Sequence, residues 1–298
     1  MKMKFKTKYQ FKFLLVFLLL FFLLTSCTQS GSNEPTQNLN FRKGTEGIIV
    51  KIFTENLPTK VSQDEIFPLT VILENKGSAD STGTLAITTA PQISFFSENT
   101  KKFKLKGNSL LQQGDFSDPY IFNLKNDLIA PNKVLTLAVS TCYSYETIAV
   151  VPVCINPNID VLSTDAQSCR PSPKIVLSGQ GAPLMVGTVE NSITQNSEGS
   201  YDISLTFEVR NSGKGIVYPK DQCSGNSGVT LKAVSFVTYE YPGVISCSPT
   251  EVDLRRNSRI KCTIDDVKIQ GAFITPLLIN LGYSYSDTEL ININVQPK

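Results

Sequence analysis

The chain has 298 residues, with no histidine, no tryptophan, seven cysteines, and 28 basic against 26 acidic residues. Without histidine there is no imidazole for general acid–base work, for a Ser-His or Cys-His nucleophile, or for the commonest kind of metal ligation. Five of the 28 basic residues precede Cys27, so the remainder has 23 basic against 26 acidic residues, a net charge near −3, and no basic surplus to suggest nucleic acid.

Lys2, Lys4, Lys6, Lys8 and Lys12 lead into an unbroken apolar run over residues 13–24, followed by Thr25, Ser26 and Cys27. A basic start, a short apolar stretch and small residues describe a secretory signal, whether a plain one cut nearby, an uncleaved anchor or a lipoprotein leader. The run of 12 residues falls short of the roughly 20 that a membrane-spanning helix needs. Leu24-Thr25-Ser26-Cys27 resembles the prokaryotic lipoprotein lipobox. The resemblance implies that residues 1–26 are removed, that Cys27 is lipidated, and that the protein is exported and lipid-anchored to the outer face of a prokaryotic cell membrane. Residues 28–43 are polar and aperiodic, so 27–43 reads as a lipid-anchored tether. As a flexible coil it would span roughly 20–25 Å.

From Gly44 the pattern is that of β-structure. Strands are expected at 48–53, 66–74, 83–88, 92–96, 120–124, 134–140 and 143–151, separated by turn signals at 75–77, 107–108 and 130–132. One phrase stands out: Leu69, Val71 and Leu73 alternate with other residues and run into Asn75-Lys76-Gly77. It recurs as Leu205, Phe207 and Val209 running into Asn211-Ser212-Gly213. Period-two alternation marks a half-buried strand, and Asn-x-Gly marks the turn after it. Residues 152–173 hold four prolines and two cysteines and read as a junction. Beyond it, strands are expected at 184–190, 203–210, 229–240, 244–247, 259–264, 272–281 and 290–295. Tyr143-Ser144-Tyr145 recurs as Tyr283-Ser284-Tyr285. The first phrase repeats at an offset of 136 residues and the second at 140, which argues for a duplicated module. The expected architecture is all-β: two tandem immunoglobulin-like antiparallel β-sandwiches, 44–156 and 174–298, joined by a Pro/Cys junction at 157–173.

Six cysteines remain besides Cys27, an even number that suits disulfides in an exported chain. Cys154 with Cys169 and Cys247 with Cys262 each enclose 14 residues and are the best pairs. The first would staple the junction and the second would tie neighbouring strands. Cys142 and Cys223 are left over, either to pair and lock the two halves or to stay buried as free thiols. With no C-x-x-C and no histidine, neither a zinc site nor any other metal or cofactor is expected.

Other motifs read as turns. Gly179-Gln180-Gly181-Ala182-Pro183-Leu184 lacks the third glycine and the following helix of a phosphate loop, so it reads as a turn into a strand. Asp80-Ser81-Thr82-Gly83 has one residue too many for an aspartic-protease signature and reads as a turn as well. Asp115, Asp118, Asp265 and Asp266 fall in loop-like stretches where a calcium ion could sit, with solvated turns the simpler reading. Tyr239 and Tyr241, before Pro242-Gly243, suit either a contact patch at a loop tip or a cap on the core.

The alternation followed by Asn-x-Gly, at 69–77 and 205–213, resembles the CARDB-like, adhesion-related Ig-type domains of prokaryotic surface proteins. The resemblance spans about 45–155 and 180–297. It implies a seven-stranded sandwich at the cell surface with an adhesive, spacer or scaffolding role, and it transfers no catalytic residue. The expected function is therefore a non-catalytic surface lipoprotein whose partners are the membrane, through its anchor, and an envelope protein or glycan. One alternative is a solute-binding lipoprotein of a transport system, which needs a cleft between the two halves. The other is an enzyme that works without histidine, through Ser-Lys or paired carboxylates converging in a pocket.

Overall fold

Alternation in the sequence becomes alternation in burial. Phe67, Leu69, Val71 and Leu73 are buried while their neighbours look outward, and Ile203, Leu205, Phe207 and Val209 repeat this in the second half. The computed structural model describes residues 40–95, 98–127, 133–156, 169–196, 198–236, 245–269 and 271–297. Cys27, the first part of the expected tether, the turn at 130–132, most of the junction, Tyr239 and Tyr241 lie outside the described residues.

In chain order the first half carries β1 (Ile48–Ile52), β2 (Lys60–Ser62), β3 (Ile66–Asn75), β4 (Ser81–Ala90), β5 (Ser94–Phe95), β6 (Thr100–Leu105), β7 (Tyr120–Lys125) and β8 (Val134–Ile155). The second half carries β9 (Lys174–Val176), β10 (Leu184–Gln195), β11 (Tyr201–Asn211), β12 (Ile216–Tyr218), β13 (Val229–Phe236), β14 (Ser246–Ser248), β15 (Glu251–Val252), β16 (Arg259–Val267) and β17 (Phe273–Gln296). The only helical elements among the described residues are 3-10 turns at Asn40–Arg42 and Thr54–Asn56.

The strands form three sheets. Two small ones run β1-β3-β7-β5 and β14-β16-β11-β10-β9. The large one runs β15-β13-β17-β8-β4-β6, with β12 and β2 also paired to β17. The pairings are antiparallel, apart from the short parallel contact of β2 with β17. The chain is thus an all-β, antiparallel sandwich protein.

The two halves meet in a shared sheet. β8 and β17 pair without interruption from Val134 opposite Asn294 to Ile155 opposite Phe273. Along β8 every odd-numbered residue from Leu135 to Val153 is buried. That single face serves both small sheets: Tyr143 reaches the N–H of Ile48 in β1, and Thr147 reaches the carbonyl of Leu184 in β10. The two strands expected at 134–140 and 143–151 are one strand, and so are those at 272–281 and 290–295. Polar stretches around Thr141 and at 284–289 interrupt the apolar pattern in sequence, yet each finds its backbone partner in the other long strand.

The duplication is visible in the bonds. Ile48 donates its N–H to the Tyr143 hydroxyl at 3.1 Å, and Leu184 donates to Tyr283 at 3.4 Å. The Asn75 carboxamide accepts the Gly77 N–H and donates to the Ala79 carbonyl; Asn211 does the same with Gly213 and Gly215. Lys76 donates to the Gly47 carbonyl at 2.9 Å, and Ser212 to that of Pro183 at 2.8 Å. The Tyr145 hydroxyl accepts the Ala79 N–H, and the Tyr285 hydroxyl that of Gly215. Each pair keeps the spacing of the repeated phrases, so the Asn-x-Gly turns and the Tyr-Ser-Tyr phrases are parts of one locking device. Because Ser144 pairs with Ser284 while Tyr143 pairs with Tyr285 and Tyr145 with Tyr283, a pseudo-two-fold axis passes through the two serines.

The six cysteines pair as Cys142–Cys223, Cys154–Cys169 and Cys247–Cys262, with Cα separations of 6.1, 5.8 and 4.0 Å. Cys247 and Cys262 face each other across β14 and β16. Cys142 lies near the axis on β8 and holds the β12–β13 connection to the first half.

Candidate functional site

Four tyrosines surround the pseudo-axis on the buried face. Tyr143 and Tyr145 lie 5.7 Å apart centre to centre, Tyr143 and Tyr285 5.8 Å, and Tyr145 and Tyr283 6.1 Å. All are almost completely enclosed. Removing a phenolate from water is costly, so burial raises the pKa of all four hydroxyls, and that of Tyr285 is pushed up to about 12. Their hydroxyls are committed to backbone partners, so this cluster is a structural keystone and not a proton donor.

The opposite face of the same strands holds a pocket. Even-numbered residues of β8 point there, which places Ser144, Glu146 and Ile148 along one side. The turn after β3 supplies Ser78, Ala79 and Asp80, and β4 supplies Thr82. Arg42 enters from the 3-10 turn and Lys220 from the β12–β13 connection. The pocket is an open cleft of about 450 Å³, within the range of small-molecule sites.

Local bonds fix these walls. The Ser78 N–H donates to the Gly181 carbonyl at 2.7 Å, and its hydroxyl donates to the Gln180 carbonyl at 3.1 Å, so the wall joins both halves. Asp80 accepts the Gly107 N–H at 2.9 Å. Ser144 donates its hydroxyl to Asp221 at 3.0 Å, and the Cys142–Cys223 disulfide holds the same loop two residues further on. Glu146 is already neutralised by Lys232. Arg42 is half-buried, stacks on Phe41 at 5.2 Å, and has no carboxylate partner among the described residues. Burial alone pushes its guanidinium below its ordinary value.

The other singled-out residues lie elsewhere. Asp115 accepts the Lys106 N–H at 3.0 Å and a hydrogen bond from the Gln112 amide. Asp266, at a φ of 58°, accepts hydrogen bonds from Asn196 and Ser200. Among the described residues no three metal-binding side chains converge. Residues 179–184 form a turn into β10, with Gly181 at a φ of +66°. Asp80 stands at the entry to β4. Sequence reasoning missed Arg42, which sits at the end of an expected tether, and Lys220, which sits in an exposed loop; no periodicity marks either position.

No protein-family model matches the chain, and neither does any curated protein.

Proposed function

We propose that the chain is a non-catalytic surface lipoprotein, held by Cys27 at the outer face of a prokaryotic membrane, that presents Ig-like β-faces and loops for adhesion, scaffolding or protein and glycan binding. The observation that carries this reading is the union, in one chain, of a basic–apolar–small leader ending in Cys27 with an all-β body of duplicated Asn-x-Gly locks. The likeness of those locks to CARDB-like domains supports the same reading. Metabolic labelling with a fatty-acid probe tests the anchor: wild type takes up label and Cys27→Ser does not. Equal labelling of both, or a cytosolic location of the wild type, refutes it. Affinity capture from intact envelopes tests the role, which fails when neither an envelope protein nor a glycan is retained.

A second reading, a solute-binding lipoprotein that serves a transport system, is favoured by one observation: the pocket lies where the two halves join and takes residues from both.

A further inference from the structure

The pocket can be read by asking which of its polar groups are already used. The hydroxyls of Ser78, Ser144 and Tyr145 are bonded within the protein, and Glu146 is paired with Lys232. What remains is the guanidinium of Arg42, the ammonium of Lys220, the second oxygen of Asp80 and the hydroxyl of Thr82. Ala79 and Ile148 supply apolar wall.

Arg42 sets the ligand's charge. A guanidinium partly withdrawn from water loses hydration that only an anion restores well, and a carboxylate restores it through two parallel hydrogen bonds. Lys220, from the β12–β13 connection, adds a second positive charge to the lining. Asp80 sets the other requirement, because a carboxylate in a binding pocket accepts hydrogen bonds from hydroxyls and repels a second anionic centre. A neutral sugar would leave both cations unmatched. Inorganic phosphate would satisfy the cations but bring its charge against Asp80.

We propose that this pocket binds a small carboxylate-bearing polyol of the size of a hexuronic acid, with the carboxylate on Arg42 and Lys220 and the hydroxyls on Asp80 and Thr82. The site deepens the second functional reading and rests on it for its biological use, but not on the lipid anchor. It is also a property of one side of the molecule only. At the repeat spacing of 136, the counterparts of Arg42 and Asp80 are Ser178 and Ile216, and Lys220 corresponds to Thr84, so the duplication does not recreate the site.

Isothermal titration of the full chain with galacturonate, galactose and inorganic phosphate tests this. Galacturonate gives saturable binding, and galactose and phosphate each bind at least about tenfold more weakly. Arg42→Gln and Lys220→Gln each weaken galacturonate by at least about tenfold, the loss expected for a charge-assisted pair. Lys220 is exposed, so its variant keeps the fold and decides the matter should Arg42→Gln melt early. Absence of galacturonate binding overturns the proposal. Galactose or phosphate binding as tightly as galacturonate overturns the ligand class, and unchanged affinity in folded variants overturns the location. A chain that fails these titrations yet is labelled at Cys27 and retains an envelope partner loses the pocket and keeps the first reading.

Discussion

Raising the pH tests the tyrosine keystone directly. Tyr143, Tyr145, Tyr283 and Tyr285 are at most 3% exposed, and burial holds each neutral beyond its ordinary range. The unfolded chain has no such restraint and releases its phenolic protons near pH 10. The folded state therefore binds more protons above that point. Stability is fully present below about pH 10 and falls as pH rises from there towards the folded values, of which that of Tyr285 is about 12. Each group contributes about 1.4 kcal/mol per pH unit in that window, so the four together remove roughly 5–6 kcal/mol by pH 11. That is comparable with the whole net stability of an ordinary domain, about 5–15 kcal/mol. The assay follows phenolate absorbance and circular dichroism together. Tyr143, Tyr145, Tyr283 and Tyr285 ionise only as the β signal disappears, and the double variant Tyr143→Phe, Tyr283→Phe roughly halves the slope of stability against pH. Reversible ionisation of these four with the β signal intact refutes the argument.

Four further outcomes follow from the structure. A Cβ at Gly77 would collide with the Tyr145 hydroxyl and lie 2.6 Å from the Gly181 carbonyl oxygen, so Gly77→Ala costs roughly 2–4 kcal/mol in urea unfolding. Gly199→Ala, where φ is +80° but nothing lies within 4 Å, costs only about 1 kcal/mol. Thr147 donates to the Leu184 carbonyl at 2.6 Å and meets the Tyr283 hydroxyl at 3.0 Å; Thr147→Val keeps the shape, removes both bonds, leaves the Tyr283 hydroxyl only its bond from the Leu184 N–H, and lowers stability by roughly 1–3 kcal/mol, read as a drop in thermal midpoint. Replacing Cys142 and Cys223 by Ala opens a separation of 81 residues and costs more than opening the Cys247–Cys262 separation of 15, about 4–5 against 3 kcal/mol in the chain-entropy model, as measured by chemical denaturation of the two double variants.

The sequence made the local architecture legible and left the long-range pairing hidden. Alternation at 69–73 and 205–209 identified two matching strands, because a half-buried strand must repeat its apolar residues every second position. The Asn-x-Gly turns were readable for the same local reason. The repeated Tyr-Ser-Tyr phrases were visible as a repeat, but nothing within either phrase says that they lie opposite each other. That register is decided by the length of β8 and β17 and by what covers them. The polar residues at 284–289 hid the continuity of β17, since a strand's backbone is satisfied by its neighbour and not by its own side chains. Cys142 and Cys223 emerged only as a remainder, for their 81-residue separation carries no local signal. The pocket was the least legible feature. Its free cations come from an aperiodic segment and a loop, and only the folded chain brings them beside β8.

The pairing of β8 with β17 sets a schedule for the emerging polypeptide. A chain that appears N-terminus first exposes β8 while roughly 120 residues are still to come before the start of β17, so its long inner edge waits without a partner. Early collapse of the first half alone leaves a sticky border open to other nascent chains. Folding that waits until the last strand is available avoids that interval.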